Sequence, residues 1–427
     1  AAGGLSGVHG DVQVESTPDG VSLALRDGER WVPMHSRRDP VRDAERMLNA
    51  IDLADASTVF VVGFGLGFLG EALEARQWRG TIVAFEPSAA PIAACLSRRD
   101  WRDWLSEGRL WLLAGPEHAG LDQVVPRLDP NREEPLILVN PVVARCRAAA
   151  LESTLRTAHR AWFGARANQE ARRRMGGQYL LQTLRNAATI TAAGDVDALR
   201  DLCRGTPAII VAAGPTLDRN LPDLIAQRDR ALVIAVDTAL RPLRAAGVTP
   251  DLVVAVDPSE SNARHLVDVA VSDDTFIIAE GSLDPEALAT FGDRQFIFRV
   301  GDHHPWPWLQ AHGIRRGRLR AWGSVLTTAF DLALEMGCDP VIFTGADLAF
   351  TDGQPYVRGT TYEDDWRREA AWGRRLDDAW QARVEAWPPT RETGVDGTEV
   401  PTAPHLVAFR DWIVSEAAKA TPRRIVN

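Results

Sequence analysis

Six short apolar runs in the second half of the chain each stop at residues able to do chemistry. Ala208 to Ala213 leads into Gly214-Pro215-Thr216, Ala231 to Val236 into Asp237, and Leu252 to Val256 into Asp257-Pro258. Phe276 to Ala279 meets Glu280-Gly281, Gln295 to Val300 runs up to Asp302, and Val341 to Thr344 opens into Gly345-Ala346-Asp347. In an open α/β sheet, ligands bind over the carboxyl ends of the strands, above all where strand order reverses. Taken singly, each acid is an ordinary turn or helix-capping residue. Together on one edge they predict a crevice edged by carboxylates, with a glycine turn among them.

That turn, AAGPTLDRN, puts Gly214 and Thr216 at the start of a helix. Unpaired N–H groups and the helix dipole there favour an anion without help from a basic side chain. Gly323-Ser324 precedes a second helix, TTAFDLALEMG, and offers further amides and a hydroxyl. Two glycine-hydroxyl turns facing one crevice point to a nucleoside mono- or diphosphate. A third glycine-rich segment lies near the amino terminus: Gly63, then Gly65-Leu-Gly67-Phe-Leu-Gly70, directly after the run Thr58 to Val62, with Glu86 ending the next run, TIVAFE. The spacing fits a dinucleotide turn and an S-adenosylmethionine turn equally, with the amides on the ligand and Glu86 on ribose hydroxyls. Packing alone also retains such glycines. Gly63, Gly65, Gly67 and Glu86 are therefore read as a possible second site.

The elements that must position these residues follow from the pattern. Residues 1–55 read as a β lead-in (VQVES, VSLALRDG, RWVPMH) and a helix from Pro40 to Ile51. Residues 56–145 read as a Rossmann-like βαβ domain, continued by RLWLLAG and PLILVN. Residues 146–204, rich in Ala and Arg, form a helical connector, and 205–427 a second α/β domain with a helical C-terminal part. The continuous apolar runs of that domain suit strands buried on both faces of a mostly parallel sheet. The fold class is thus α/β, with two Rossmann-like lobes. Trp366, Trp372, Trp380 and Trp387 keep to one stripe of the late helices, which reads as core packing. The pairs Asp273-Asp274, Asp364-Asp365 and Asp377-Asp378 read as solvated surface acids, and His303-His304 as a loop pair, because adjacent histidines have poor ligand geometry.

Composition removes whole chemistries. The chain of 427 residues carries 47 arginines and a single lysine, Lys419. No Walker-type phosphate loop and no Schiff-base lysine in a core is available, so any phosphate must be held by turn amides, hydroxyls, arginine or a metal. A net charge of −10 argues against a nucleic-acid partner. Cys95, Cys146, Cys203 and Cys338 form no CxxC pair and read as buried, reduced residues. Neither a signal-like start nor a run of apolar residues long enough to cross a bilayer is present, which leads to the expectation of a cytoplasmic protein.

The runs PAIIVAAGPTLDRNLPDL, ALVIAVDTALRPLRAAGVTPDLVVAVDPSESN and GSVLTTAFDLALEMGCDPVIFTGADLAFTDG closely resemble the motility accessory factor (Maf) glycosyltransferases. These bacterial proteins resemble sialyltransferases in fold and decorate flagellin with nonulosonic acids. The resemblance extends back through QTLRNAATI, IVAFEPS, VFVVGFGLGFL and HSRRDPVRDAERM, covering most of residues 35–365. The same core looks like the archaeal 6-hydroxymethyl-dihydropterin pyrophosphokinase (MptE-like), which lacks the N-terminal domain.

The resemblance implies a nonulosonic sugar donated from a CMP-linked nucleotide sugar to a Ser or Thr hydroxyl of a protein such as flagellin. It implies no divalent metal. The rival pyrophosphokinase would use ATP with magnesium, and a third reading is a binding protein with a vestigial cleft. Residue by residue, Ala213, Gly214, Pro215, Thr216 and Leu217 match the nucleotide turn, with Ala212 in place of its first glycine. Asp237, Asp257 and Asn262 line the cleft, and Gly323 with Ser324, and Gly345 with Asp347, match two further motifs. The catalytic base is Asp347, Asp257 or His405, in that order. Phe350 stands where the family has a tyrosine and Tyr356 where it has a histidine.

Overall fold

The computed structural model describes residues 7–17, 20–54, 56–115, 120–125, 128, 135–267, 269–370, 373, 375–386 and 390–427. Two compact units, Ala1–Arg173 and Arg174–Asn427, divide the chain inside the stretch read as a connector. The helix Ala148–Arg185 spans that division.

The first unit begins with an antiparallel sheet of β1 (Gly7–His9), β2 (Val12–Thr17), β3 (Gly20–Asp27) and β4 (Arg30–Pro33), paired in chain order. Its register sets Val12 opposite Leu25 and Val14 opposite Leu23, so all four apolar side chains share one buried face. The helix Pro40–Asn49 starts where expected: Pro40 needs no N–H there, and the Asp39 carboxylate accepts from the Arg42 amide at 3.0 Å. A parallel sheet follows, with β5 (Thr58–Val62), β6 (Thr81–Glu86), β7 (Leu110–Ala114) and β8 (Leu136–Val139) in the order β7-β6-β5-β8. Strand order reverses between β5 and β8.

The second unit is built on an eight-stranded parallel sheet. Its strands are β9 (Gly194–Asp195), β10 (Ala208–Val211), β11 (Leu232–Val236), β12 (Leu252–Ala255), β13 (Phe276–Glu280), β14 (Gln295–Phe298) and β15 (Val341–Thr344), closed after the hairpin β16 (Thr390–Thr393) and β17 (Glu399–Thr402) by β18 (Ile425–Val426). The order is β18-β15-β10-β11-β12-β13-β14-β9. All six apolar runs are strands of it. The stretch read as a mostly helical connector also supplies β9, an edge strand pairing with β14. Two residues are too few to carry a period, which is why composition alone concealed it. The chain steps from β10 across to β14 and then returns to the far side of β10 as β15, so the order reverses between β10 and β15. The helix Val325–Glu335, buried from Leu326 to Ala333, packs across β10, β11 and β12.

Other expectations resolve with this core. Trp366 and Trp380 are buried, while Trp372 and Trp387 lie outside the described residues. Cys95 and Cys338 are buried, with burial pushing each thiol up to about 12, but Cys146 and Cys203 are only half-buried. Among the described residues no helix is long and apolar enough to cross a membrane.

Candidate functional site

The reversal between β10 and β15 brings together two loops that are 131 residues apart. After β10 the chain turns through Gly214-Pro215-Thr216 into the helix Leu217–Gln227; after β15 it passes Gly345 to Asp347. The Gly214 amide donates to the Gly345 carbonyl at 2.7 Å. Neither position admits a side chain. A Cβ on Gly214 would lie 2.1 Å from Asp347 Oδ2, and one on Gly345, whose φ is +64°, would lie 2.4 Å from the Ala212 carbonyl oxygen.

This close approach lets Asp347 reach the helix start. Its Oδ2 accepts from the Thr216 amide at 3.2 Å and from the Thr216 hydroxyl at 2.7 Å, and its Oδ1 accepts from the Thr351 hydroxyl at 2.6 Å. The group at the turn is the protein's own carboxylate. Leu348, next in the chain, holds a left-handed φ of +48°, costing about 1 kcal/mol or more for a branched residue. Strand β17 holds the loop there: the Thr402 hydroxyl donates to the Leu348 carbonyl and the Phe350 amide to the Pro401 carbonyl, both at 2.8 Å.

Two of the other strand-end acids form a second group. Asp237, at the end of β11, is buried; its Oδ1 accepts from the Thr238 amide at 2.7 Å and its Oδ2 from Asn262 at 2.8 Å. Burial pushes its carboxyl up to about 6, against the opposing effect of those hydrogen bonds. Asp257, past the end of β12, is half-buried and accepts from the Ser259 amide at 2.8 Å. Its charge is felt by Asp237, His265, Tyr179 and Tyr362. The remaining acids serve elsewhere. Glu280 is buried and takes the Ser282 amide at 2.6 Å and the Trp306 indole N–H at 3.2 Å, and exposed Asp302 pairs with Arg299 at 2.6 Å. The five-acid edge is therefore three acids, because two have local partners that composition does not reveal.

Three aromatic residues stand near this group, and of them only Tyr362 was passed over in the sequence. Tyr356, Tyr362 and Trp366 form a stack, with the tyrosine centroids 4.8 Å apart and Tyr362 6.0 Å from Trp366. Burial first, and then the Asp237 charge among others, push both phenols up. The helix Thr361–Ala370 that carries two of these rings is tied down at three points. Its Thr361 hydroxyl meets buried His265 Nδ1 at 2.8 Å, Asp364 pairs with Arg241, and Asp365 pairs with Arg264 at 2.9 Å. Burial holds the His265 imidazole down at about 4. Asp364-Asp365 is thus a half-buried tether and not the solvated pair expected, whereas Asp273-Asp274 and Asp377-Asp378 are exposed as read. Tyr362 and Trp366 stand at i and i+4 of one helix, a spacing that could have been found.

Gly323 and Ser324 belong to another cluster. Gly323 has φ +72° and a Cβ there would lie 2.8 Å from Phe409, which makes an edge contact with His405 at 5.7 Å. The Ser324 hydroxyl accepts from the Leu326 amide at 3.3 Å as a helix cap. Burial pushes His405 down.

In the first unit the glycine turn is filled by protein. Glu86, buried at the end of β6, accepts from the Gly65 amide at 2.6 Å, and His35 Nε2 accepts from the Leu66 amide at 3.0 Å. A Cβ on Gly65 would lie 2.2 Å from His35 Nε2, on Gly63 2.5 Å from Val143, and on Gly67 2.7 Å from Trp101. Burial pushes Glu86 up to about 7. The expected arrangement, with Glu86 turned outward to a ribose and the amides on a phosphate, is not adopted: the acid is turned inward and the glycines make room for side chains.

Residues 181–353 match the family model described as 6-hydroxymethylpterin diphosphokinase MptE-like. The fold is similar to that of a Maf glycosyltransferase from Magnetospirillum magneticum AMB-1, with TM-score 0.58 and 18% identity over 98% of this chain and 68% of that one. Two proteins of Treponema pallidum (strain Nichols), both described as uncharacterized, are 27% identical to parts of the chain. One is matched over 213 residues, 48% of this chain and 72% of its own length. The other is matched over 133 residues, 28% and 33%. The family resemblance read from the sequence is borne out by the first two matches.

Proposed function

We propose that the protein is a glycosyltransferase that moves a nonulosonic sugar from a CMP-linked donor to a Ser or Thr hydroxyl of a protein, with flagellin as the acceptor first to be tried. The observation that carries this reading is the meeting of two loops where strand order reverses between β10 and β15. A turn locked by Asp347 stands beside Asp237, Asp257 and an aromatic stack, in a fold similar to a Maf glycosyltransferase. Ring faces suit a nucleobase, and phenolic O–H groups suit a leaving phosphate in a chain with no lysine at the site.

In this reading the reaction is an in-line displacement at the anomeric carbon: the C–O bond to the CMP phosphate breaks as the acceptor hydroxyl forms the new glycosidic bond. Ala213 to Leu217 and Gly345 shape the nucleotide pocket. Asp347, with both oxygens engaged by Thr216 and Thr351, positions the turn. Asp257, half-exposed with Oδ1 on the Ser259 amide, is then the better-placed base to take the acceptor proton. Arg241 and Arg264 supply positive charge toward the donor's carboxylate while tethering the covering helix. The test is CMP release from CMP-nonulosonate with a flagellin acceptor. Asp257→Ala should lower turnover about 100-fold or more, and unchanged turnover would remove Asp257 from the mechanism.

The matched family model supports a second reading, diphosphate transfer from ATP to a pterin alcohol, with the strand-end acids holding magnesium. AMP release from ATP-magnesium with a hydroxymethylpterin, and no CMP release, would favour it.

A further inference from the structure

One feature that the proposed reaction does not use lies in the first unit. A cavity of about 630 Å³ opens beside the glycine turn, between the ends of β5 and β8, where strand order reverses. It is within the size range of small-molecule sites. Its floor is apolar: Met34, Met47, Phe64, Phe68 and Leu69. Methionine and phenylalanine adapt to ligand bodies of varied shape.

The polar groups around it are unequal. Asp43 is the acid that lines the cavity among the described residues, and it has partners. Asp43 accepts from the Ser36 amide at 3.2 Å and pairs with Arg46 at 3.0 Å, and Glu86 is turned into the Gly65 amide. Donors, by contrast, are available. His35 Nε2 accepts from the Leu66 amide, which places the proton of the neutral ring on Nδ1. Arg37 lines the cavity and has no carboxylate partner among the described residues.

From this cavity of free donors over an apolar floor, we infer that the first unit binds an amphipathic organic acid, its carboxylate on Arg37 and His35 and its apolar body between Met34, Met47 and Phe68. This site is independent of the crevice in the second unit.

The test is hydrogen exchange of the full chain with decanoate and with 4-phenylbutyrate, using decylamine as the control of opposite charge. Both acids should slow exchange in segments 33–47 and 63–69, and decylamine should not. Arg37→Glu, at an exposed position that no core contact depends on, should weaken the acids by about tenfold or more. Unchanged exchange at millimolar acid, equal affinity in Arg37→Glu, or a diffuse response to decanoate and decylamine alike would overturn the proposal.

Discussion

The two units use the same device to different ends. Each turns from a strand through glycines into a helix beside a reversal of strand order, and each sends a carboxylate from another strand end into the turn: Glu86 onto the Gly65 amide, Asp347 onto the Thr216 amide. In the first unit the acid is sealed, with its carboxyl pushed up to about 7, and each glycine makes room for a neighbouring side chain. In the second the acid is held by two hydroxyls and an amide, and Gly214 and Gly345 let two loops close over each other. A glycine-rich turn therefore does not announce a ligand.

The sharpest contrast should come from the glycines. Gly345→Ala forces a left-handed alanine against a backbone carbonyl that cannot move without parting the loops, and should cost about 3 kcal/mol or more along with CMP binding. Gly65→Ala meets only the far end of His35 and should cost about 2 kcal/mol, leaving CMP affinity intact. Urea unfolding and CMP titration of both variants check this, and equal loss of CMP affinity would erase the contrast.

The acids differ next in their pH dependence. Glu86 rises from 4.5 to about 7 on folding, so the folded state holds the extra proton. Its contribution is fully present below pH 4.5, falls as pH rises through the window to 7, and is then gone, a total of about 3 kcal/mol. Glu86→Gln should therefore gain stability relative to the parent between pH 5 and 8. Parallel unfolding curves across that range would show that the acid is not buried as described. Asp347→Ala, which leaves the Thr216 amide and two hydroxyls without their acceptor, should cost about 2 kcal/mol and lower kcat/KM about 100-fold.

The smallest effects belong to the covering helix. Thr361→Val removes the hydrogen bond to His265 and should cost about 1 kcal/mol. Arg264→Ala breaks a half-exposed ion pair and should change stability by no more than about 0.5 kcal/mol while raising KM several-fold. A kcat change without a KM change would mean that the tether acts on chemistry and not on closure.

The strands and their order of function-bearing ends were readable because continuous apolar runs punctuated by glycine and aspartate specify buried parallel strands directly. The convergence of acids was not. Whether Glu280 faces a crevice or caps Ser282 depends on Trp306, which the fold brings against it. Likewise Asp364 and Asp365 look like surface charges until Arg241 and Arg264, more than 100 residues away, are packed beneath them. The short β9 and the stack of Tyr356 on Tyr362 are tertiary facts of the same kind.

The most direct measurement is CMP affinity by titration calorimetry in four proteins: the parent, Asp347→Ala, Glu86→Gln and Arg37→Glu. Binding should fall about tenfold or more in Asp347→Ala alone. If Glu86→Gln or Arg37→Glu weakened CMP while Asp347→Ala bound it as tightly as the parent, the nucleotide would sit on the first glycine turn and the crevice between β10 and β15 would not be the site.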